Sequence, residues 1–173
     1  MKCPPYQQLD YDNPQGKPKG VMNNKVVARF QDGRMLKGTA LDIDPARPTF
    51  HIIPPGAKAV QVKIAELKAV FYVRTLDGDP KYEENLTPSP DDARARSSRL
   101  VTLKFKDGEV MVGHTIGTPG NRPYFFIVPV DPRSNNIRVL VNRTAVDSIQ
   151  EVPAGTVLPA PTQSGQALTT TPQ

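Results

Sequence analysis

The chain has 173 residues, 38% of them hydrophobic, with no run of apolar residues long enough for a membrane helix, and it has room for one ordinary domain or two small ones. Nineteen prolines and twelve glycines argue against a helical bundle, and a single cysteine, Cys3, excludes an internal disulfide or a cysteine-built zinc site. The net charge of +5 is uneven: residues 25–74 hold nine basic and four acidic groups, 75–98 three and six, and 99–152 seven and five.

Residues 1–24 are rich in Pro, Gln, Asn and Gly and read as a flexible segment. They contain no apolar stretch of the kind a secretory signal needs, and one free thiol suits the cytoplasm. From Val26 to Phe30 apolar positions alternate as a strand requires, and Asp32-Gly33 suits a hairpin turn. A longer strand is predicted over 34–43, with Gly38 at a bend or a close backbone approach. Arg47-Pro48 marks a turn, 50–53 and 60–64 are further strands, 65–68 is a polar break, and 69–74 is a last strand with two apolar faces. Residues 76–98 form an acidic, Pro-rich linker carrying Asp79-Pro80, Thr87-Pro88, Ser89-Pro90 and a helical turn near Ala93–Arg96.

The same series then recurs. Val26–Gly33 aligns with Val101–Gly108 at an offset of 75, which holds without a gap to Pro54 and Pro129. Ten of those 29 positions are identical, among them Phe30/Phe105, Asp32/Asp107, Gly38/Gly113, Arg47/Arg122 and Phe50/Phe125, against roughly two by chance. After a loop of unequal length the match resumes at an offset of 79. The expectation is an all-β protein of two tandem SH3-like or Sm-like five-stranded β-barrels, 25–75 and 99–152, since barrel closure removes the exposed edges of small sheets. A Pro/Thr/Gln-rich tail, 153–173, is expected to be disordered.

No enzymatic motif stands out, and no catalytic residue, metal site or cofactor is assigned. Asp42 and Asp44 share a strand face but face Gly117 and Pro119 in the second series. His51 and His114 occupy unrelated positions of the two series and read as strand histidines. Candidate partner-binding residues are Arg47 and Arg122, the one basic pair identical in both series, and Tyr72, Tyr124 and Phe126, aromatics on outward or double-sided strands. A basic first half attracts nucleic acid or another anion, so Arg29, Arg34, Lys37, Lys63, Lys68 and Arg74 are the alternative, nucleic-acid-binding set.

Val26-Val-Ala-Arg-Phe-Gln-Asp-Gly-Arg-Met-Leu-Lys-Gly38, Arg47-Pro48-Thr49-Phe50-His51 and Glu66-Leu-Lys-Ala-Val-Phe-Tyr-Val-Arg74 together resemble a family of uncharacterised bacterial domains. Arg99–Gly113 and Asn121-Arg122-Pro123-Tyr124-Phe125 are similar to the same unit. The resemblance implies a small β-barrel in a bacterial cytoplasm, standing alone or attached to PilZ or receiver signalling modules, and it brings no activity or site residues. Arg94, Arg96 and Arg99 lack the spacing of a PilZ cyclic-dinucleotide motif, and Asp147-Ser148 lacks its remainder, so no dinucleotide is assigned. The sequence therefore points to a non-catalytic interaction or regulatory adaptor module. The partner expected is another protein, with a second copy of the chain or a nucleic acid as alternatives, and without membrane insertion.

Overall fold

The structure, a computed structural model, describes residues 24–152 apart from Pro90, Thr118, Gly120 and Asn121. The segment read as flexible, save Asn24, and the tail 153–173 lie outside the described residues. The first half forms β1 (Asn24–Phe30), β2 (Met35–Ala40), β3 (Thr49–Ile53), β4 (Val60–Lys63) and β5 (Leu67–Val73). The second half forms β6 (Arg99–Phe105), β7 (Val110–Thr115), β8 (Tyr124–Pro129), β9 (Asn136–Asn142) and β10 (Val146–Glu151). Each predicted strand is present. The two polar breaks are single 3-10 turns, Ile64–Glu66 and Arg143–Ala145, and a third such turn covers Ala93–Arg96.

The assembly of these strands corrects the sequence expectation. They form one open antiparallel sheet in the order β10-β6-β7-β8-β9-β5-β1-β2-β3-β4, not two closed five-stranded barrels. Closing the first half would require β4 to pair with β5. Instead β5 pairs with β1 on one side and with β9 on the other, in the registers Val70↔Ala28 and Val70↔Leu140. The outer edges of β4 and β10 are left as the two ends of the sheet.

Side-chain patterning explains the choice. All seven residues of β5 are buried, which suits a strand inside a sheet covered on both faces. Alternation along β1, β5 and β9 then feeds two cores. Val27, Phe71, Val139 and Val141 join Leu103, Phe105, Phe125 and Ile127 on one face. Val26, Ala28, Val70, Tyr72 and Leu140 join Phe50, Ile52, Val62 and Leu67 on the other. Each core thus takes residues from both halves, so neither half buries its apolar surface alone.

Local contacts recur between the halves. Phe30 N donates to Arg34 O at 2.9 Å as Phe105 N does to Glu109 O at 2.8 Å, around turns where Gly33 and Gly108 have φ of 89° and 90°. Ile64 N donates to Pro48 O as Arg143 N donates to Pro123 O, tying each Arg-Pro loop to a 3-10 turn. A Cβ on Gly38 would lie 2.4 Å from the Ile53 carbonyl oxygen, and one on Gly113 would lie 2.6 Å from that of Val128, so both positions need glycine for close strand approach.

Residues 76–98 run along the second half. Asp131 accepts from the Tyr82 hydroxyl at 2.6 Å and from Asn85 N at 2.9 Å, and Glu84 accepts from Ser134 and Asn136. Arg94 donates to the carbonyls of Pro129 and Val130.

Candidate functional site

The outer edge of β4, unpaired among the described residues, borders a groove of about 520 Å³, walled on its far side by the β1–β2 hairpin. Phe30, Met35, Leu36, Val60 and Val62 supply its apolar lining, with Arg34 and the Lys63–Glu66 ion pair at its rim. The local sequence accounts for this shape. Val60 and Val62 share a face of β4, and Val62 is buried in the core while Val60, the first residue of the strand, stays exposed; Met35 begins β2 with an exposed side chain. Arg34 is steadied over the Phe30 ring at 4.5 Å by Asp32, whose carboxylate it contacts at 2.7 Å. These contacts hold the Asp32 carboxyl below its ordinary range, chiefly through the Arg34 backbone N–H and then its side chain. A sheet edge also carries a row of unpaired backbone N–H and C=O groups. An apolar groove beside such a row has the requirements for an extended polypeptide: main-chain partners along its length and alternate side-chain pockets.

A second cleft, of about 480 Å³, lies where β1 and β2 meet residues 74–84 and the turn at 133–136. Val27, Phe71 and Val73 form its floor, and Arg29, Lys37 and Arg74 reach it. Its polar groups are turned on one another. Arg74 donates to the carbonyls of Ser134 and Pro132, and Asn135 bonds Thr75 through both ends of its amide. This cleft is a seam between the halves, where Arg74, Thr75 and Asn135 are bonded to one another's segments.

The aromatic candidates come together, and the arginine candidates do not. Tyr72 is buried in β5, and its ring lies 6.1 Å from that of Phe126 with Arg138 over both. Burial raises the Tyr72 hydroxyl above its ordinary pKa, against the opposing effect of Arg138. Tyr124 packs at the margin of the same core. Arg47 extends from an exposed loop 3.6 Å from Asp44, and Arg122 is exposed before Pro123. The structure thus gathers Tyr72, Tyr124 and Phe126 on one face of the sheet and places the two arginines in separate loops.

The basic set is largely paired internally. Lys68 is buried, contacts Asp107 at 2.5 Å, also pairs with Glu109, and sits 4.2 Å from the Phe105 ring centre. Arg29 donates to Glu109 at 2.9 Å and lies over Phe71. Arg34 is held by Asp32 and Lys63 by Glu66, while Lys37 has no ion-pair partner among the described residues.

The histidines are anchored by acids. His51 Nδ1 is 2.8 Å from Asp42, whose carboxyl burial would raise but whose bonds from His51 lower it below its ordinary range. His114 is buried, with Nδ1 3.0 Å from Ser98 Oγ and Nε2 3.2 Å from Asp92, the latter outside hydrogen-bonding direction. Burial depresses its pKa, Asp92 opposes this, and Arg94 adds to it. Arg94 clamps Asp92, chiefly through side-chain bonds, and draws its carboxyl down to about 2. The Ser98 hydroxyl donates to the Arg94 carbonyl, so this serine, histidine and aspartate fasten 92–98 to β7 and offer no free nucleophile. No group of three or more His, Cys, Asp or Glu side chains placed to hold a metal ion occurs among the described residues.

The sequence reading missed Met35, Leu36, Val60 and Val62 as a site. The signal was the apolar-polar alternation of Val60-Gln61-Val62-Lys63, but its meaning depends on β4 having no second neighbour among the described residues. No helix of the described residues is long and apolar enough to cross a membrane. A family model described as a family of unknown function, DUF6982, matches residues 22–153. That agrees with the resemblance at the level of an uncharacterised domain and carries no PilZ or receiver module with it. No curated protein and no solved structure matches the chain.

Proposed function

The chain belongs to the DUF6982 family of unknown function, and we propose that it is a non-catalytic protein-interaction module that accepts an extended segment as an added strand along β4. The observation that carries this reading is the open sheet: among the described residues β4 pairs with β3 alone, and its other edge faces an apolar groove. The two halves are read as a tandem duplication, on the recurring strand order and repeated turn contacts. A bacterial cytoplasmic setting accords with a chain of one cysteine.

The nucleic-acid alternative has less support. Lys68 is buried against Asp107 and Glu109, and Arg29, Arg34 and Lys63 each already share their charge with an acidic partner. Binding by such groups would also weaken steeply with salt.

The test is selection of random extended peptides displayed against the immobilised full chain, followed by amide hydrogen exchange on the complex. The expected result is a set of peptides that protect the amides of Val60–Lys63 and lose affinity on Met35→Glu or Val60→Glu, variants that leave stability intact. Selected peptides that protect other regions, or a selection that yields none, would refute the reading.

A further inference from the structure

The groove beside β4 has a counterpart inside the molecule that is already filled. β9 stands to β8 as β4 stands to β3: Tyr124↔Asn142 and Ile127↔Val139 repeat the register Thr49↔Lys63 and Ile52↔Val60. The outer edge of β9 accepts β5, with Ala69 opposite Val141 and Phe71 opposite Val139. β5 follows one 3-10 turn and pairs with β1, and β10 follows the equivalent turn and pairs with β6. The sheet therefore ends in the two kinds of edge, a fourth strand and a fifth strand, that pair with each other at its centre.

Exposure marks the missing partner. Val139 is 0% exposed beneath β5, whereas its counterpart Val60 is 42% exposed. The charges carry the argument further. At the internal junction the incoming strand brings Lys68, which sits over Phe105 and pairs with Asp107 and Glu109. In the first half the ring is Phe30, and Arg34 stands in the place of Glu109. Its guanidinium already occupies the cation's position over that ring, at 4.5 Å. Asp32 engages only its Nε, and its two terminal nitrogens have no partner among the described residues. The residue of β10 in the place of Lys68 is Asp147, and it is exposed. Of the two acids that hold Lys68, Glu109 is exchanged for Arg34 and Asp107 is kept as Asp32; with Asp32 spent on the Arg34 Nε, the terminal nitrogens of Arg34 supply the attraction for Asp147.

We propose that the strand accepted by β4 is β10 of a second copy of this chain, added head to tail in the register of β5 on β9, with Asp147 meeting Arg34. This rests on the strand-accepting reading of β4 and names its occupant. Ser148 then lies opposite Val62, Ile149 opposite Gln61 and Gln150 opposite Val60. Every chain offers one edge of each kind, so the contact is heterologous and produces a ring where the rotation closes and a filament where it does not. β10 carries Ser148 and Gln150 where β5 has Ala69 and Phe71, so the junction between copies is weaker than the internal one and depends on concentration.

The experiment is sedimentation velocity and light scattering on the full chain over a wide concentration range. The expected result is a mass that rises above the 19.0 kDa of the single chain. Arg34→Glu and Asp147→Lys each weaken association by at least about tenfold, and the double variant R34E/D147K, which recreates the polarity of the internal junction, recovers it. Recovery also shows that neither exchange harms the fold. A mass of one chain at every concentration would overturn the proposal, as would association indifferent to both single reversals. A single-chain protein that still binds display-selected peptides along β4 would overturn this inference and keep the strand-accepting reading. Loss of both would overturn the two together.

Discussion

Lys68 joins the halves through charge, and its surroundings are lopsided. Its side chain is 7% exposed, whereas Asp107 is 55% and Glu109 36% exposed. Each acid also has other support. Glu109 accepts from Arg29 at 2.9 Å, and Asp107 accepts from Glu109 N at 3.1 Å. Burial would raise the Asp107 carboxyl, but the Lys68 bond, the Glu109 N–H and the Lys68 charge hold it below its ordinary range. Removing the cation and removing the anions therefore differ in cost. Lys68→Met keeps a stem over Phe105 and leaves carboxylates that water still reaches, at about 1 kcal/mol. The pair Asp107→Asn with Glu109→Gln strands a buried ammonium, at about 3 kcal/mol. With a urea slope near 2 kcal/mol per M, the midpoints fall by about 0.5 M and about 1.5 M respectively. The triple variant recovers most of the loss, because no buried ammonium remains and Arg29, which loses Glu109, is 40% exposed to water. Equilibrium urea unfolding measures all three. Equal costs, or a larger cost for Lys68→Met, would refute the argument from burial.

Gly38→Ala and Gly113→Ala each lower stability by about 1–3 kcal/mol through forced displacement of the neighbouring strand, read by thermal or urea unfolding. Tyr72→Ala removes a buried ring and costs about 3 kcal/mol, while Phe126→Ala, at the rim, costs less than half of that; the same unfolding measurements rank them. Stability falls in two stages on acidification. The depressed His114 means that the unfolded state takes up its proton first, so stability is full above about pH 6.5 and declines below it, a stage absent in His114→Gln. The depressed carboxyls of Asp92, Asp107 and Asp131 contribute stability that is full above about pH 4 and is lost as pH falls toward 2, as unfolding curves against pH would record.

The strands were legible because their determinants are local. Alternation in Val101–Phe105, the Asp-Gly turns, and Gly38 with Gly113 at close strand approaches all act within a few residues. The recurrence of ten residues at a fixed offset was legible for the same reason, since identical residues need no partner to be counted. The double-sided apolarity of Leu67–Val73 told that something must cover both faces of β5. What covers them was not legible. Strand pairing is made by backbone groups that every residue carries, so β5 pairs as readily with β4 as with β9 on pattern alone. Tertiary packing decided for β9, because only then do Phe71 and Val73 enter the second half's core while Val70 and Tyr72 enter the other. That choice joined the ten strands into one open sheet, buried Tyr72 and Lys68, set the first half's cations against its own acids and those of the second, and left β4 and Val60 at an edge. The sequence determined which segments are strands and which faces are apolar. Only the tertiary structure determined which edge stays unpaired, because an edge is defined by the neighbour it lacks.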